Sequence, residues 1–155
     1  MKDLFTNKWL WIPLSTWLLV QLVKLITEVV KASREGRNIN FRRIIGAGGM
    51  PSAHTACIVS LATSIGLSDG IGFGSPIFAL ATVFAFVVMY DAAGVRRAAG
   101  KQARVLNKLI ESEGKDTEQV KLVELLGHTP IEVFVGCLVG ILIGVIFSLI
   151  WDLRA

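Results

Sequence analysis

Four apolar stretches, separated by polar or basic segments, constrain the fold of this chain more than any other feature. They run over about residues 9–30, 51–67, 76–93 and 129–151. Stretches of roughly 17–25 apolar residues can cross a bilayer as helices. Hydrophobic residues make up 53% of the chain and charged residues only 18%, and the mean hydropathy is +0.61, which does not fit a soluble globule. We therefore predict one all-α domain, 1–155, a polytopic membrane helix bundle with about four transmembrane spans.

The basic residues are distributed unevenly and predict the orientation of the chain. Twelve of the sixteen Lys and Arg residues lie in segments 31–50 and 91–128. Cytosolic loops of membrane proteins carry an excess of Lys and Arg. We expect the connections, about 31–50 and 94–128, to be cytosolic and both termini to lie outside. The protein would then be a multi-pass protein of the cell (inner) membrane with its active site on the cytosolic side.

The second connection begins with a predicted cytosolic amphipathic helix over 91–110. Its cations recur at helical spacing on one face, and apolar residues face elsewhere. These cations are Arg97, Lys101, Arg104 and Lys108. We expect Arg104 and Lys108 to contact anionic headgroups at the membrane surface.

Small residues predict close helix packing in two of the apolar stretches. Gly136, Gly140 and Gly144 repeat every fourth residue in the last stretch, a pattern typical of tight helix contact and a candidate face for a homo-oligomer. The second stretch has a comparable stripe, consisting of Ala53, Ala56, Ser60 and Ser64.

The segment Gly48-Gly49-Met50-Pro51-Ser52-Ala53-His54 stands at the start of the second apolar stretch. A helix beginning there directs unpaired N–H groups and partial positive charge at whatever lies in front of it. Glycines such as Gly49 also let an anion approach the backbone closely. The segment is a candidate phosphate site, but a helix cap followed by a buried histidine would give the same pattern.

The other histidine, His128, stands at the start of the last apolar stretch, four residues before Glu132. On a helix this spacing brings the carboxylate to one imidazole nitrogen. That contact would fix the tautomer and leave the second nitrogen as a nucleophile or base. The alternative is that Glu132 only caps the helix that begins at Thr129 and Pro130.

A lysine, Lys24, lies inside the first apolar stretch, on the same helical face as Gln21 and Glu28. A lysine within a membrane span is costly and is a functional candidate for that reason. Snorkelling of its side chain, or a pair with Glu28, would explain it equally well.

Three motifs in a fixed order resemble one known family. They are Gly-Gly-Met-Pro-Ser-x-His, the segment Tyr-Asp-Ala-Ala-Gly-Val-Arg-Arg from Tyr90 to Arg97, and Leu-Gly-His-Thr-Pro-x-Glu-Val around His128. Together with the order of the spans, they resemble the divergent branch of the type 2 phosphatidic acid phosphatase superfamily, which includes lipid phosphate phosphatases and vanadium haloperoxidases. The resemblance covers nearly the whole chain. It implies an all-helical fold with a metal-free phosphate site and hydrolysis through a phosphohistidine.

The resemblance also implies roles for individual residues. His128 would be the nucleophile, Glu132 its orienting partner, and His54 the acid that protonates the leaving oxygen. Ser52 would bind the phosphate, beside the backbone at Gly49. Neither a metal nor a cofactor would be needed.

The chain departs from the superfamily pattern at three points. Ala53 replaces the glycine of Pro-Ser-Gly-His, the arginine expected six residues before the nucleophile falls on Leu122, and Lys-x6-Arg-Pro has no match. Other cations would have to hold the phosphate, and the pair Arg96 and Arg97 is the first choice because guanidinium groups bind phosphate through two hydrogen bonds. The remaining candidates are Lys24, Arg42, Arg43 and Lys101.

The sequence thus predicts a metal-independent phosphatase embedded in the membrane. Its substrate would be a phosphorylated lipid of the phosphatidate, phosphatidylglycerol phosphate or isoprenoid phosphate class. Its partners would be that lipid and the bilayer, not nucleic acid. Two other interpretations stay open. The chain could bind or translocate a phosphorylated lipid without cleaving it, or it could be a small scaffolding subunit held by its glycine-rich last span.

Overall fold

The structure is a computed structural model that describes residues 2–38, 49–112, 122 and 127–153. Within these ranges the chain forms helices and no strand, which confirms the all-α prediction. The helices are α1 (Lys2–Phe5), α2 (Lys8–Glu35), α3 (Ala53–Gly66), α4 (Pro76–Ala93), α5 (Val95–Ser112) and α6 (Pro130–Asp152). The four apolar stretches correspond to α2, α3, α4 and α6. The predicted amphipathic helix corresponds to α5, which begins later than the sequence suggested.

The helices begin where local side chains can satisfy the free N–H groups of a first turn. At each of four helix starts, a side-chain oxygen accepts a hydrogen bond from the backbone N–H three residues later. The capping residues are Asn7 for α2, Ser52 for α3, Ser75 for α4 and Thr129 for α6. At its other end, α2 stops at Gly36, which adopts the left-handed conformation with φ of 61° and so reverses the chain.

The helices alternate in direction, and this arrangement gives the bundle two distinct ends. At one end, Trp9 of α2 donates from Nε1 to Ser68 Oγ, just after α3, at 2.9 Å. At the same end, Lys8 forms an ion pair with Asp152 at the end of α6. Helices α2 and α4 therefore run towards the opposite end, and α3 and α6 run back from it. The candidate site residues lie at that opposite end.

Helix α3 is the centre of the bundle and contacts α2, α4 and α6. The glycine face of α6 lies directly on it. A Cβ added to Gly136 would be 2.7 Å from the Ser52 carbonyl oxygen, and one added to Gly140 would be 2.6 Å from the Ala56 carbonyl oxygen. The predicted close contact is therefore present, but it is intramolecular. While α3 occupies this face, a second copy of the chain cannot use it.

Among the described residues, three helical segments contain a stretch long and apolar enough to cross a membrane. They are α2, the segment Pro76–Ser112, whose apolar part is α4, and α6. Helix α3 has 14 residues, about 21 Å at about 1.5 Å per residue, which is shorter than a hydrocarbon core of about 30 Å. Its predicted small-residue stripe is buried, with Ala56, Ser60 and Ser64 all 0% exposed. The short helix is thus surrounded by longer ones whose outward side chains are apolar. The protein is a multi-pass membrane helix bundle.

Candidate functional site

Backbone contacts bring the three sequence motifs together at one end of the bundle. The N–H of Ser52 donates to the carbonyl oxygen of Glu132 at 3.1 Å, joining the starts of α3 and α6. The N–H of His128 donates to the carbonyl oxygen of Ala92 at 2.9 Å, joining the start of α6 to the end of α4. Motifs that are far apart in the sequence therefore share one small region.

Gly127 makes a further close contact in this region. A Cβ at this position would overlap the backbone nitrogen of Arg97, and the φ of Gly127 is 84°. Both the space and the left-handed backbone require glycine here. The glycine of the Leu-Gly-His motif thus lets the chain before His128 lie directly on the Arg96–Arg97 backbone.

His128 is buried at the centre of the cluster, with 2% of its surface exposed. Neither ring nitrogen has a hydrogen-bond partner within the described residues. Burial lowers the pKa of His128 to about 4, and the nearby positive charge of Lys24 acts in the same direction. The imidazole is therefore neutral at pH 7, the form that a nucleophile or general base needs.

Lys24 is a buried cation whose charge acts on both histidines. It is 6% exposed, and it forms no ion pair within the described residues. The carboxylate of Glu132, at the start of α6, attracts it electrostatically. Burying an ammonium group without an ion pair is costly, and in membrane spans such residues mark functional sites.

Glu28, which the sequence offered as one possible partner of Lys24, pairs with Arg37. Glu28, one turn along α2, accepts from Arg37 Nη1 at 2.5 Å and from Arg37 Nη2 at 3.3 Å. The left-handed turn at Gly36 brings Arg37 back towards the helix, and the hydrogen bonds to Glu28 raise the pKa of its guanidinium group. Sequence reasoning missed this partner, although the glycine after the helical pattern could have indicated a chain reversal.

His54 and Ser52 lie at the start of α3 but differ in exposure. His54 is exposed and interacts electrostatically with Arg96, Lys24 and Asp91. Ser52 is 0% exposed, and its Oγ accepts from Thr55 Oγ1 at 3.0 Å. Ser52 is therefore a buried helix cap, whereas the side chain of His54 is accessible from outside the bundle.

Glu132 does not orient His128 in the way its spacing suggested. Its Oε2 accepts from the backbone N–H of Thr129 at 2.8 Å, and its own N–H donates to Thr129 Oγ1 at 3.3 Å. This reciprocal arrangement is a capping box. The carboxylate still acts electrostatically on His128 and Lys24, so it contributes charge to the site without a hydrogen bond to the imidazole.

The predicted phosphate-binding cations are only partly brought together. The charge of Arg96 acts on both histidines. Its Nε donates to Asp91 Oδ2 at 2.6 Å, and the sequence indicated Asp91 only as part of a motif. Arg97 is half-buried against Gly127, and Lys101 is exposed one turn further along α5. Gly49 is exposed with φ of 89°. Arg42 and Arg43 lie outside the described residues.

The described residues include no group of three His, Cys, Asp or Glu side chains that could hold a metal ion. The cluster instead combines two imidazoles with cations from α2 and α5, partly balanced by Asp91 and Glu132. Such a set of groups is suited to binding a phosphate or another oxyanion.

Comparison with known sequences identifies the family. The Divergent PAP2 family matches residues 5–143, which include all three motifs. The chain belongs to this family. A relative in Bacillus subtilis (strain 168), named uncharacterized membrane protein YuiD, is 38% identical over 149 residues, covering 88% of this chain and 90% of the relative. No solved structure matches the chain. The family resemblance expected from the three motifs is thus confirmed. Those motifs meet at the end of the bundle that carries the histidines.

Proposed function

We propose that this protein is a metal-independent phosphatase that hydrolyses a phosphorylated lipid through a phosphohistidine on His128. The observation that carries the proposal is Lys24, a 6% exposed cation without an ion pair in the described part of the chain, whose charge acts on both histidines. A bound phosphate would be the counter-ion of this lysine. Membership of a PAP2-related family supports the same reading.

The state of His128 suits the first chemical step. Because its pKa is lowered to about 4, the ring carries a free lone pair at neutral pH. In the proposed step, one ring nitrogen attacks phosphorus and forms the N–P bond while the bond from phosphorus to the lipid oxygen breaks. The negative charge of the bound phosphate favours the protonated form of His54, which donates its proton to the departing alkoxide. Lys24 and Arg96 neutralise the phosphate oxygens.

The second step returns the enzyme to its starting state. A water molecule attacks the phosphohistidine, His54 now accepts a proton from that water, and the N–P bond breaks. Inorganic phosphate leaves, His128 regains its lone pair, and His54 is again protonated. The two buried nitrogens of His128 without described partners support a role in ligand chemistry, since buried polar atoms are normally satisfied.

A lipid substrate fits the position of the cluster better than a soluble ester does. The cluster lies at one end of a bundle whose outer surface is apolar, with Leu80 and Leu142 more than half exposed. A lipid with its tail in the bilayer could reach the histidines sideways, headgroup first. We propose that this end faces the cytosol, in keeping with the basic connections.

A phosphate-release assay on the purified full chain in detergent with EDTA tests the proposal. The substrates would be phosphatidate, phosphatidylglycerol phosphate and an isoprenoid diphosphate. We expect the wild type to release phosphate from at least one lipid and His128→Ala to lose that activity. Turnover by folded His128→Ala near the wild-type rate would contradict the proposal.

A second candidate function is binding or translocation of a phosphorylated lipid without cleavage. It is favoured by Glu132, which caps α6 and does not hold the His128 ring, and by the full burial of Ser52. Binding of a radiolabelled lipid phosphate by the wild type, without phosphate release from any of the three lipids, would select this function.

A further inference from the structure

We infer that α5 lies on the surface of the membrane that α2, α4 and α6 cross, with its apolar side in the headgroup region and anionic lipids as its partner. This inference concerns an interaction surface and does not depend on the proposed phosphatase activity. It rests on the three faces of α5 and on how the helix is connected to α4.

One face of α5 is apolar and exposed. Val95, Leu106 and Leu109 project from the same side of an α-helix because they are separated by 11 and 3 residues. Their exposed fractions are 59%, 47% and 55%. An apolar face of this kind is costly in water and indicates burial against an apolar partner.

The side opposite the apolar face is strongly basic. Arg97, Lys101, Arg104 and Lys108 follow one another at intervals of four, three and four residues. The helix has no acidic residue before Glu111. Apolar residues on one side and a surplus of Lys and Arg on the other are typical of helices that lie in a bilayer interface and are attracted to anionic lipids.

A third face of α5 is buried within the protein and is distinct from the apolar face. Gly100, Ala103 and Asn107 are the buried residues of α5. The amide of Asn107 donates from Nδ2 to the carbonyl oxygen of Leu122 at 2.9 Å and accepts from the Leu122 N–H at 2.9 Å. The protein therefore covers this face and leaves the apolar face exposed.

The connection to α4 places the start of α5 where a membrane-crossing helix ends. Only Gly94 separates the two helices, and its N–H donates to the carbonyl oxygen of Tyr90 at 2.8 Å. Tyr90 is 77% exposed, and exposed tyrosines are enriched at the membrane–water boundary. The apolar face of α5 therefore begins where a helix already in the bilayer ends, which favours lipid over a second protein as its partner.

Site-directed fluorescence on the full chain tests this inference. In a background with Cys57→Ala and Cys137→Ala, the environment-sensitive dye NBD would be attached at Leu106→Cys or Leu109→Cys. Lys108→Cys, on the basic side, is the matched control. The labelled proteins would be reconstituted into vesicles of phosphatidylcholine, with or without phosphatidylglycerol. We expect blue-shifted emission at the two leucine positions, with quenching by lipids spin-labelled near the headgroup, and water-like emission at the control.

The role of charge has a separate readout. Adding phosphatidylglycerol should increase the quenching at Leu109→Cys, because the basic side chains are attracted to anionic headgroups. High salt should reduce that increase by screening the attraction, and the double substitution Lys101→Gln and Lys108→Gln should reduce it by removing two of the charges. Water-like emission at both leucine positions in both vesicles would overturn the inference. Blue-shifted emission that lipid quenchers do not affect would also overturn it, since a protein surface would then cover the face. Equal quenching with and without phosphatidylglycerol would overturn the assignment of anionic lipids as the partner.

Discussion

At the scale of single residues, His128 and Glu132 illustrate how far the sequence could lead. Both were predicted to be site residues, and both lie in the cluster. Their predicted hydrogen bond is absent because α6 begins at Pro130, so His128 precedes the first helical turn and helical spacing does not apply to it. Glu132 is instead in the position from which a carboxylate reaches back to Thr129. A shift of two residues in the helix start thus changes the role of the carboxylate.

Lys24 was predicted as one of several cations that could hold the phosphate. Its burial without an ion pair among the described residues makes it our first candidate for that role. The sequence could not decide between a pair with Glu28 and a free ammonium group, because the competing partner, Arg37, reaches Glu28 only through the turn at Gly36. Such reversals depend on the backbone after the helix, which the apolar pattern does not describe.

We expect Lys24→Met to weaken inhibition by vanadate, which resembles the phosphoryl transition state, by about tenfold to a hundredfold. This range corresponds to the loss of one hydrogen bond to a charged group. The acid limb of kcat/KM should also move. Lys24, His54 and Arg96 lower the pKa of His128, and Glu132 raises it. Removing the Lys24 charge therefore raises the pKa of His128 above about 4. As the pH is lowered, the variant should lose activity at a higher pH than the wild type does, because its His128 is protonated sooner.

Lys31→Met is the matched control, since Lys31 is an exposed lysine on the same helix. It should leave both the vanadate inhibition constant and the acid limb unchanged. An acid limb and a vanadate affinity that stay at wild-type values in folded Lys24→Met would show that this lysine does not face the phosphate.

At the scale of helices, the small-residue patterns were accurate about contact and silent about the partner. The glycines of α6 recur every fourth residue and the small residues of α3 every third or fourth residue, which predicts close approach. Spacing alone does not say whether the facing helix belongs to the same chain. The structure pairs the two patterns with each other. The helix bounds differ from the predicted ones at the start of α3, where Ser52 is the cap, at the start of α5, and most at the end of α2, which continues to Glu35.

We expect Gly140→Leu to lower the free energy of unfolding by about 1–3 kcal/mol or more, the usual cost of overpacking. Even a single Cβ at this position would be 2.6 Å from the Ala56 carbonyl oxygen and 2.9 Å from the Val59 Cβ, so α3 and α6 would have to separate. Thermal unfolding in detergent, followed by circular dichroism, would measure the change as a lower Tm.

The control for this variant is Gly74→Leu in the link before α4. A Cβ there meets nothing within 4 Å, and its φ is not in the left-handed region. This variant should keep the wild-type Tm. Equal Tm values for the two variants would mean that the α3–α6 contact is not the close packing described above.

At the scale of the whole molecule, hydropathy and charge predicted the class of fold and the succession of helices. The alternating helix directions agree with four crossings, although α3 is too short to span a typical hydrocarbon core by itself. The sequence could not reveal this difference, because a short inner helix and a short transmembrane span have similar compositions. The predicted cations Arg42 and Arg43 lie outside the described residues, and their role in the site stays a prediction.

The predicted orientation can be tested by labelling single cysteines in a background without Cys57 and Cys137. Ser33 and Ser112 are exposed near the basic segments, and Asp69 is exposed at the other end of the bundle. We expect a membrane-impermeant thiol reagent applied to intact cells to label Asp69→Cys, and to label Ser33→Cys and Ser112→Cys only after the membrane is opened. Labelling of Ser112→Cys in intact cells would put the histidine cluster on the outer side.

The most direct test of the central claim is to detect the covalent intermediate itself. Purified wild type, held in EDTA with a lipid radiolabelled in its phosphate and then quenched in alkali, should carry a phosphohistidine that acid removes. Folded His128→Ala should carry none, because the nitrogen that forms the N–P bond is gone. A label of equal amount on folded His128→Ala, or phosphate release by the wild type without any labelled histidine, would contradict the account.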